Sequence, residues 1–233
     1  MKALFAGIFF LFSALQAVPV DPLGAGIDLH PTKYYLALGD SYTVGEGVEP
    51  ALRFPAQLTK MLASNIQISS PYLIARTGWT GQDLLSAYVA ENFDQPYDLV
   101  TLAIGVNNQY QGQHPALFRI ELKYLLQSAI KSAQGRPGRV ITLSIPDWGM
   151  SPFAKNRDRE KIAKEIDLYN EALAAECRSA KVVYLDITKI TRKLSADSDA
   201  FAPDGLHFSG KVYRAWAELL FPLAMGILKN DAP

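Results

Sequence analysis

Four short stretches of the chain hold the side-chain types that acyl transfer needs: Gly39-Asp40-Ser41-Tyr42, Gly78-Trp79-Thr80-Gly81, Gly105-Val106-Asn107-Asn108 and Asp204-Gly205-Leu206-His207. Ser41 is the candidate nucleophile. A serine hydroxyl attacks a carbonyl effectively only when a base takes its proton, and a turn entered through glycine presents such a side chain sharply. The competing reading is a serine in an ordinary Asp-Ser turn. His207 is the candidate base, by elimination among three histidines. His30 and His114 each precede a proline in loop-like sequence, whereas His207 has a carboxylate three residues earlier and a helical pattern after it. Asp204 is spaced to accept from the imidazole Nδ1–H, which would fix the tautomer and stabilise the imidazolium. Two alternatives stand beside this: a loop aspartate and a histidine that never meet, or a metal-binding pair whose further ligands the sequence does not identify.

Gly81 and Asn107 are candidate oxyanion donors, with the Ser41 N–H as a third. Gly81 falls in the first turn of a helix opened by Thr80-Gly81-Gln82-Asp83, a capping box with aspartate as the acid. N–H groups in that turn have no partner within the helix and sit at its positive end. Asn107 adds a side-chain N–H suited to a developing oxyanion. Taken singly, Gly81 also reads as a turn glycine and Asn107 as a loop-capping amide. Tyr110, Trp148 and Phe153 lie in loops after strands and are candidate substrate-binding aromatics, with local packing an equal alternative. The chain has no G-x-S-x-G nucleophile elbow. Gly205–Lys211 fits the first part of a phosphate-binding loop, but Val212 stands where the magnesium-holding hydroxyl belongs and no strand leads into it.

These residues need elements to position them. Apolar runs at residues 34–38, 99–104, 140–145 and 182–185 read as buried strands, and a weaker strand covers 66–75, interrupted by Pro71. Helices are predicted over residues 50–63, 80–91, 116–132 and 156–178, and from 209 to about 220, where Pro222 ends or kinks the last one. In the fourth, Ile162, Ile166, Tyr169, Leu173 and Cys177 recur at spacings of three and four and mark its buried face, so Cys177 reads as a core thiol. Alternating apolar strands and helices imply a parallel sheet covered on both faces, a single α/β domain of about five strands. Ligands in such sheets sit beyond the carboxyl ends of the strands, where three of the four stretches begin.

Composition sets the outer limits. The chain has 233 residues, 49% hydrophobic and 20% charged, enough to bury a substantial core. Lys plus Arg and Asp plus Glu each total 23, so the formal net charge is zero. No basic run provides the electrostatic footprint of a nucleic-acid binder. One cysteine excludes an internal disulfide framework and a multi-cysteine metal site. At the start, Lys2 is followed by an apolar run to Leu15, the length of a signal-peptide core and too short to span a membrane. The expectation is a signal peptide over residues 1–17, then one domain over 18–233, exported to the periplasm or medium with no stable membrane span after processing. An uncleaved anchor or a buried first helix is the alternative.

In their order and placement, Gly39-Asp40-Ser41, Gly81, Gly105-x-Asn107 and Asp204-x-x-His207 resemble the four blocks of the SGNH (GDSL-type) hydrolases, from about Tyr35 to the last helix. The resemblance implies a flavodoxin-like three-layer α/β/α fold and no metal or organic cofactor. It implies Ser41 as nucleophile, Asp204 and His207 completing a triad, and an oxyanion hole of the Ser41 N–H, the Gly81 N–H and the Asn107 side chain. Tyr42 stands where the family name has leucine, Asn108 where aspartate is frequent, and Gly78 competes with Gly81 for the second block. The implied activity is a serine esterase acting on small ester substrates, with short-chain acyl esters, O-acetylated sugars and lysophospholipids all open. An acyltransferase on the same triad and a non-catalytic carbohydrate- or lipid-binding domain are the rivals. Oligomeric state is not legible.

Overall fold

The apolar runs become five parallel strands in a computed structural model that describes residues 32–91 and 95–230. The predicted signal peptide lies outside the described residues. Strand β1 (Tyr35–Gly39) is followed by a one-turn helix α1 (Ser41–Val44), then α2 (Phe54–Leu62), β2 (Tyr72–Ala75) and α3 (Gly81–Glu91). Strand β3 (Leu99–Ala103) leads into the short α4 (Val106–Tyr110) and the longer α5 (Pro115–Ser132). Then come β4 (Val140–Leu143), α6 (Arg159–Ala180), β5 (Val183–Leu185), α7 (Thr188–Leu194) and α8 (Gly210–Asn230). Spatial order is β2-β1-β3-β4-β5, every neighbour pair parallel. This is the flavodoxin-like order, and its switch point lies between β1 and β3.

β1, β3 and β4 are buried at every residue, which is why they read as unbroken apolar runs. Helices α2 and α8 pack together, as do α3, α5 and α6 in a second group. The capping box holds: Thr80 N–H donates to Asp83 Oδ2 at 2.9 Å, and Asp83 N–H donates back to Thr80 Oγ1 at 3.3 Å. Cys177 is fully buried on α6, and burial pushes its thiol up to about 11, as a core residue rather than a nucleophile requires.

Two expectations change. β2 spans only Tyr72–Ala75, with Lys33 and Ile68 joined in an isolated bridge before it. Pro71 has no N–H for the ladder and stops the strand. The last helix continues through Pro222 to Asn230. Pro222 faces solvent, so the carbonyl left without its partner can be hydrated. The stripe Val212, Trp216, Leu220, Ala224 and Leu228 stays buried across the proline and holds the helix together.

Candidate active site

The site forms at the carboxyl ends of β1 and β3, on the switch point. Gly39 ends β1, and a side chain there would come within 2.1 Å of Thr43 Oγ1 and 2.5 Å of the Ala103 carbonyl. Only glycine lets the chain turn that tightly into α1. Asp40 caps α1 by accepting from Tyr42 N–H at 3.0 Å, which sets Ser41 at the first helical position. The Ser41 N–H has no intrahelical acceptor there. Asp40 is 2% exposed, and burial raises its carboxyl to about 7.

At the end of β3, Gly105 takes φ +120, a conformation that favours glycine, and turns the chain into α4. Asn107 then donates from Nδ2 to the Trp79 carbonyl at 2.9 Å. That bond consumes one of its two amide hydrogens and fixes the plane of the amide, leaving the second N–H to donate elsewhere.

His207 arrives from the far end of the chain. Asp204 Oδ1 accepts from the Leu206 and His207 backbone N–H groups at 2.9 and 3.0 Å, folding the Asp204–His207 turn onto itself. Its other oxygen, Oδ2, stands 2.6 Å from His207 Nδ1. A carboxylate can only accept, so the proton belongs on Nδ1 and Nε2 is the basic nitrogen. Partial burial works to raise the Asp204 carboxyl, but the His207 ring and the two backbone N–H groups outweigh it and hold the group below its ordinary value. The Tyr42 ring meets the imidazole edge-on at 5.6 Å and continues into Phe208 and Trp216. Tyr42, read from sequence only as a departure from leucine, therefore buttresses the candidate base.

Ser41, Asn107 and His207 line one cavity of about 180 Å3, together with Tyr42, Val106, Leu206 and all three predicted aromatics, Tyr110, Trp148 and Phe153. The Ser41 hydroxyl makes no hydrogen bond among the described residues, a common state before substrate tightens the contact. Trp148 packs edge-on against Tyr110 at 5.3 Å and at a tilt against Phe153 at 6.2 Å. No group of three or more His, Cys, Asp or Glu is placed to hold a metal among the described residues, so Asp204 and His207 gain no further ligand.

Gly81 does not fit its expected place. Its N–H donates to Asn108 Oδ1 at 3.0 Å and is taken. Asn108 is 1% exposed and donates in turn to Gln113 Oε1 at 2.6 Å and Glu121 Oε2 at 2.8 Å. The first turn of α3 is thereby bolted to α4 and α5 instead of facing the cavity. The positive end of the helix is used, but for an internal amide oxygen. Gly78 instead sits at φ +86 with nothing within 4 Å of its side-chain direction. It lies one residue before the carbonyl that Asn107 grips.

The strand order and the grouping of these side chains define an α/β protein of the SGNH hydrolase fold. The chain belongs to the GDSL-like lipase/acylhydrolase family, whose model matches residues 37–215. Its fold is that of TesA (TM-score 0.67, 19% identity, 84% of this chain and 100% of that one). The psychrotrophic esterase EstA from Pseudoalteromonas superposes with TM-score 0.64 at 15% identity, covering 85% of this chain and 100% of that one. The acetyl-xylooligosaccharide esterase Axe2 from Geobacillus, as a W190I mutant, gives TM-score 0.65 at 18% identity over 84% of this chain and 95% of that one. No curated protein sequence matches the chain.

Proposed function

We propose that the protein is a serine esterase that hydrolyses small carboxylic esters through an acyl-enzyme on Ser41. The observation that carries this reading is the 2.6 Å contact of Asp204 Oδ2 with His207 Nδ1 at the cavity that Ser41 and Asn107 share. His207 takes the Ser41 proton as Oγ attacks the ester carbonyl. The oxyanion is received by the Ser41 N–H and the free Asn107 amide hydrogen. We assign the remaining donor to the Gly78 N–H, which has no acceptor among the described residues and lies beside the Asn107 anchor. His207 then protonates the leaving alcohol, and water repeats the sequence on the acyl-enzyme. The family supports ester chemistry, and the likeness to the esterases Axe2 and EstA favours hydrolysis over transfer to a second alcohol.

Purified mature chain is expected to hydrolyse p-nitrophenyl acetate, and Ser41→Ala to abolish turnover while remaining folded by circular dichroism. Equal rates for the two proteins would reject the nucleophile. The N-terminal pattern supports export, and N-terminal sequencing of the exported chain is expected to begin at Val18. A chain beginning at Met1 would instead indicate a retained anchor.

A further inference from the structure

We infer that Gln109 and Glu165 set the acyl-length limit of this site by fixing Trp148 in its wall. The inference rests on the esterase reading. Gln109 lies two residues beyond Asn107 on α4 and is 5% exposed. Its Nε2 donates to Glu165 Oε2 at 2.7 Å, and its Oε1 accepts from Trp148 Nε1 at 2.7 Å. Both partners have a single role, since a carboxylate only accepts and an indole N–H only donates. One orientation of the amide satisfies both, so Glu165 on α6 dictates which end of Gln109 meets the indole.

Trp148 is 5% exposed and cannot rotate away without leaving its buried N–H unpaired. Tyr110 and Phe153 pack against it at 5.3 and 6.2 Å and are themselves 49% and 43% exposed. The indole is therefore the fixed member of an otherwise exposed aromatic wall. The cavity it bounds, about 180 Å3, is below the roughly 300–1,000 Å3 of drug-sized ligand sites. A cavity of that size suits an acyl group of a few carbons, and a longer chain meets the indole while it stays in place. One short helix thus serves both ends of the reaction. Asn107 attends the carbonyl, and Gln109 holds the wall against which the acyl tail ends.

The test is kcat/KM for p-nitrophenyl acetate, butyrate, hexanoate and octanoate. In the wild type, octanoate should fall at least tenfold below butyrate. Gln109→Leu, which keeps bulk but no acceptor, should raise the octanoate-to-acetate ratio at least tenfold. Gln109→Glu sets carboxylate against carboxylate and should do the same. Adding Glu165→Gln to it keeps the acceptor for the indole and restores a donor across the gap, and should return the ratio to the wild-type value. A merely structural role would lower all four esters together and leave the chain-length ratio unchanged. A ratio within twofold of wild type in folded Gln109→Leu overturns the inference, with the esterase reading left standing. Wild-type turnover no greater than that of Ser41→Ala overturns both.

Discussion

Asp204 does two jobs with two oxygens, and the division ties the imidazole to the turn that carries it. Oδ1 holds the backbone of the turn, while Oδ2 holds the imidazole. Asp204→Asn keeps an acceptor for the backbone but can place an N–H against Nδ1, favouring the wrong tautomer. We expect kcat to fall by about 10⁴-fold with the fold intact, the scale seen when a triad carboxylate is lost. Steady-state kinetics beside a thermal melt will check this, and a loss below tenfold would remove Asp204 from the mechanism. Asn107→Ala should lower kcat by about 10²–10³-fold, as for a single oxyanion donor. Wild-type kcat in that variant would reject the assignment. Ser41, Asp204, His207 and Asn107 were legible as candidates because their types and order are chemically restrictive. Gly81 was misread because a free N–H was deduced from helix geometry alone. Asn108, adjacent in sequence to Asn107 but 27 residues from Gly81, supplies the acceptor that helix geometry cannot reveal.

Among the helices, long periodic segments were legible and short ones were not. α3, α5 and α6 appear close to their expected bounds because a hydrophobic stripe or a capping box marks them. α1 and α4, of four and five residues, carry Ser41 and Asn107, yet they are too short for periodicity to register. α8 went beyond its expected end because a buried stripe outweighs one proline. That balance is measurable. Proline inside a helix costs about 3 kcal/mol through the lost hydrogen bond and the ring clash. Pro222→Ala, at an exposed position, should therefore raise the unfolding free energy by up to about 3 kcal/mol in urea titrations. An unchanged value would mean that the local backbone already accommodates the ring.

At the scale of the whole molecule, the doubly wound sheet gathers side chains from both ends of the described chain to one edge, and that assembly has a cost at Asp40. Burial favours its neutral form, raising it from 3.8 to about 7. Between about pH 4 and pH 7 the folded chain therefore holds a proton on this group that the unfolded chain releases. Stability from this group falls as pH rises through that window. Asp40→Asn keeps an acceptor for Tyr42 N–H but cannot ionise. The unfolding free energy of wild type minus variant should decline from pH 4 to pH 7 in urea titrations, with the other groups cancelling. A difference independent of pH would show that Asp40 is not desolvated.

The sequence by itself determined the alternation of buried strands and helices and the parallel sheet, and it singled out Ser41, His207, Asp204 and Asn107 as the candidate site. Each of these is written either in local periodicity or in residue types that few other roles would bring together. Tertiary structure decided which N–H groups are free, which aromatic is pinned, and what lies against the base. Gly81 is occupied by Asn108, Trp148 is held by Gln109 and Glu165, and Tyr42 braces His207. Hydrogen-bond and ring-contact partners separated by 27 to 165 residues are chosen by packing, and no local pattern in a chain encodes that choice.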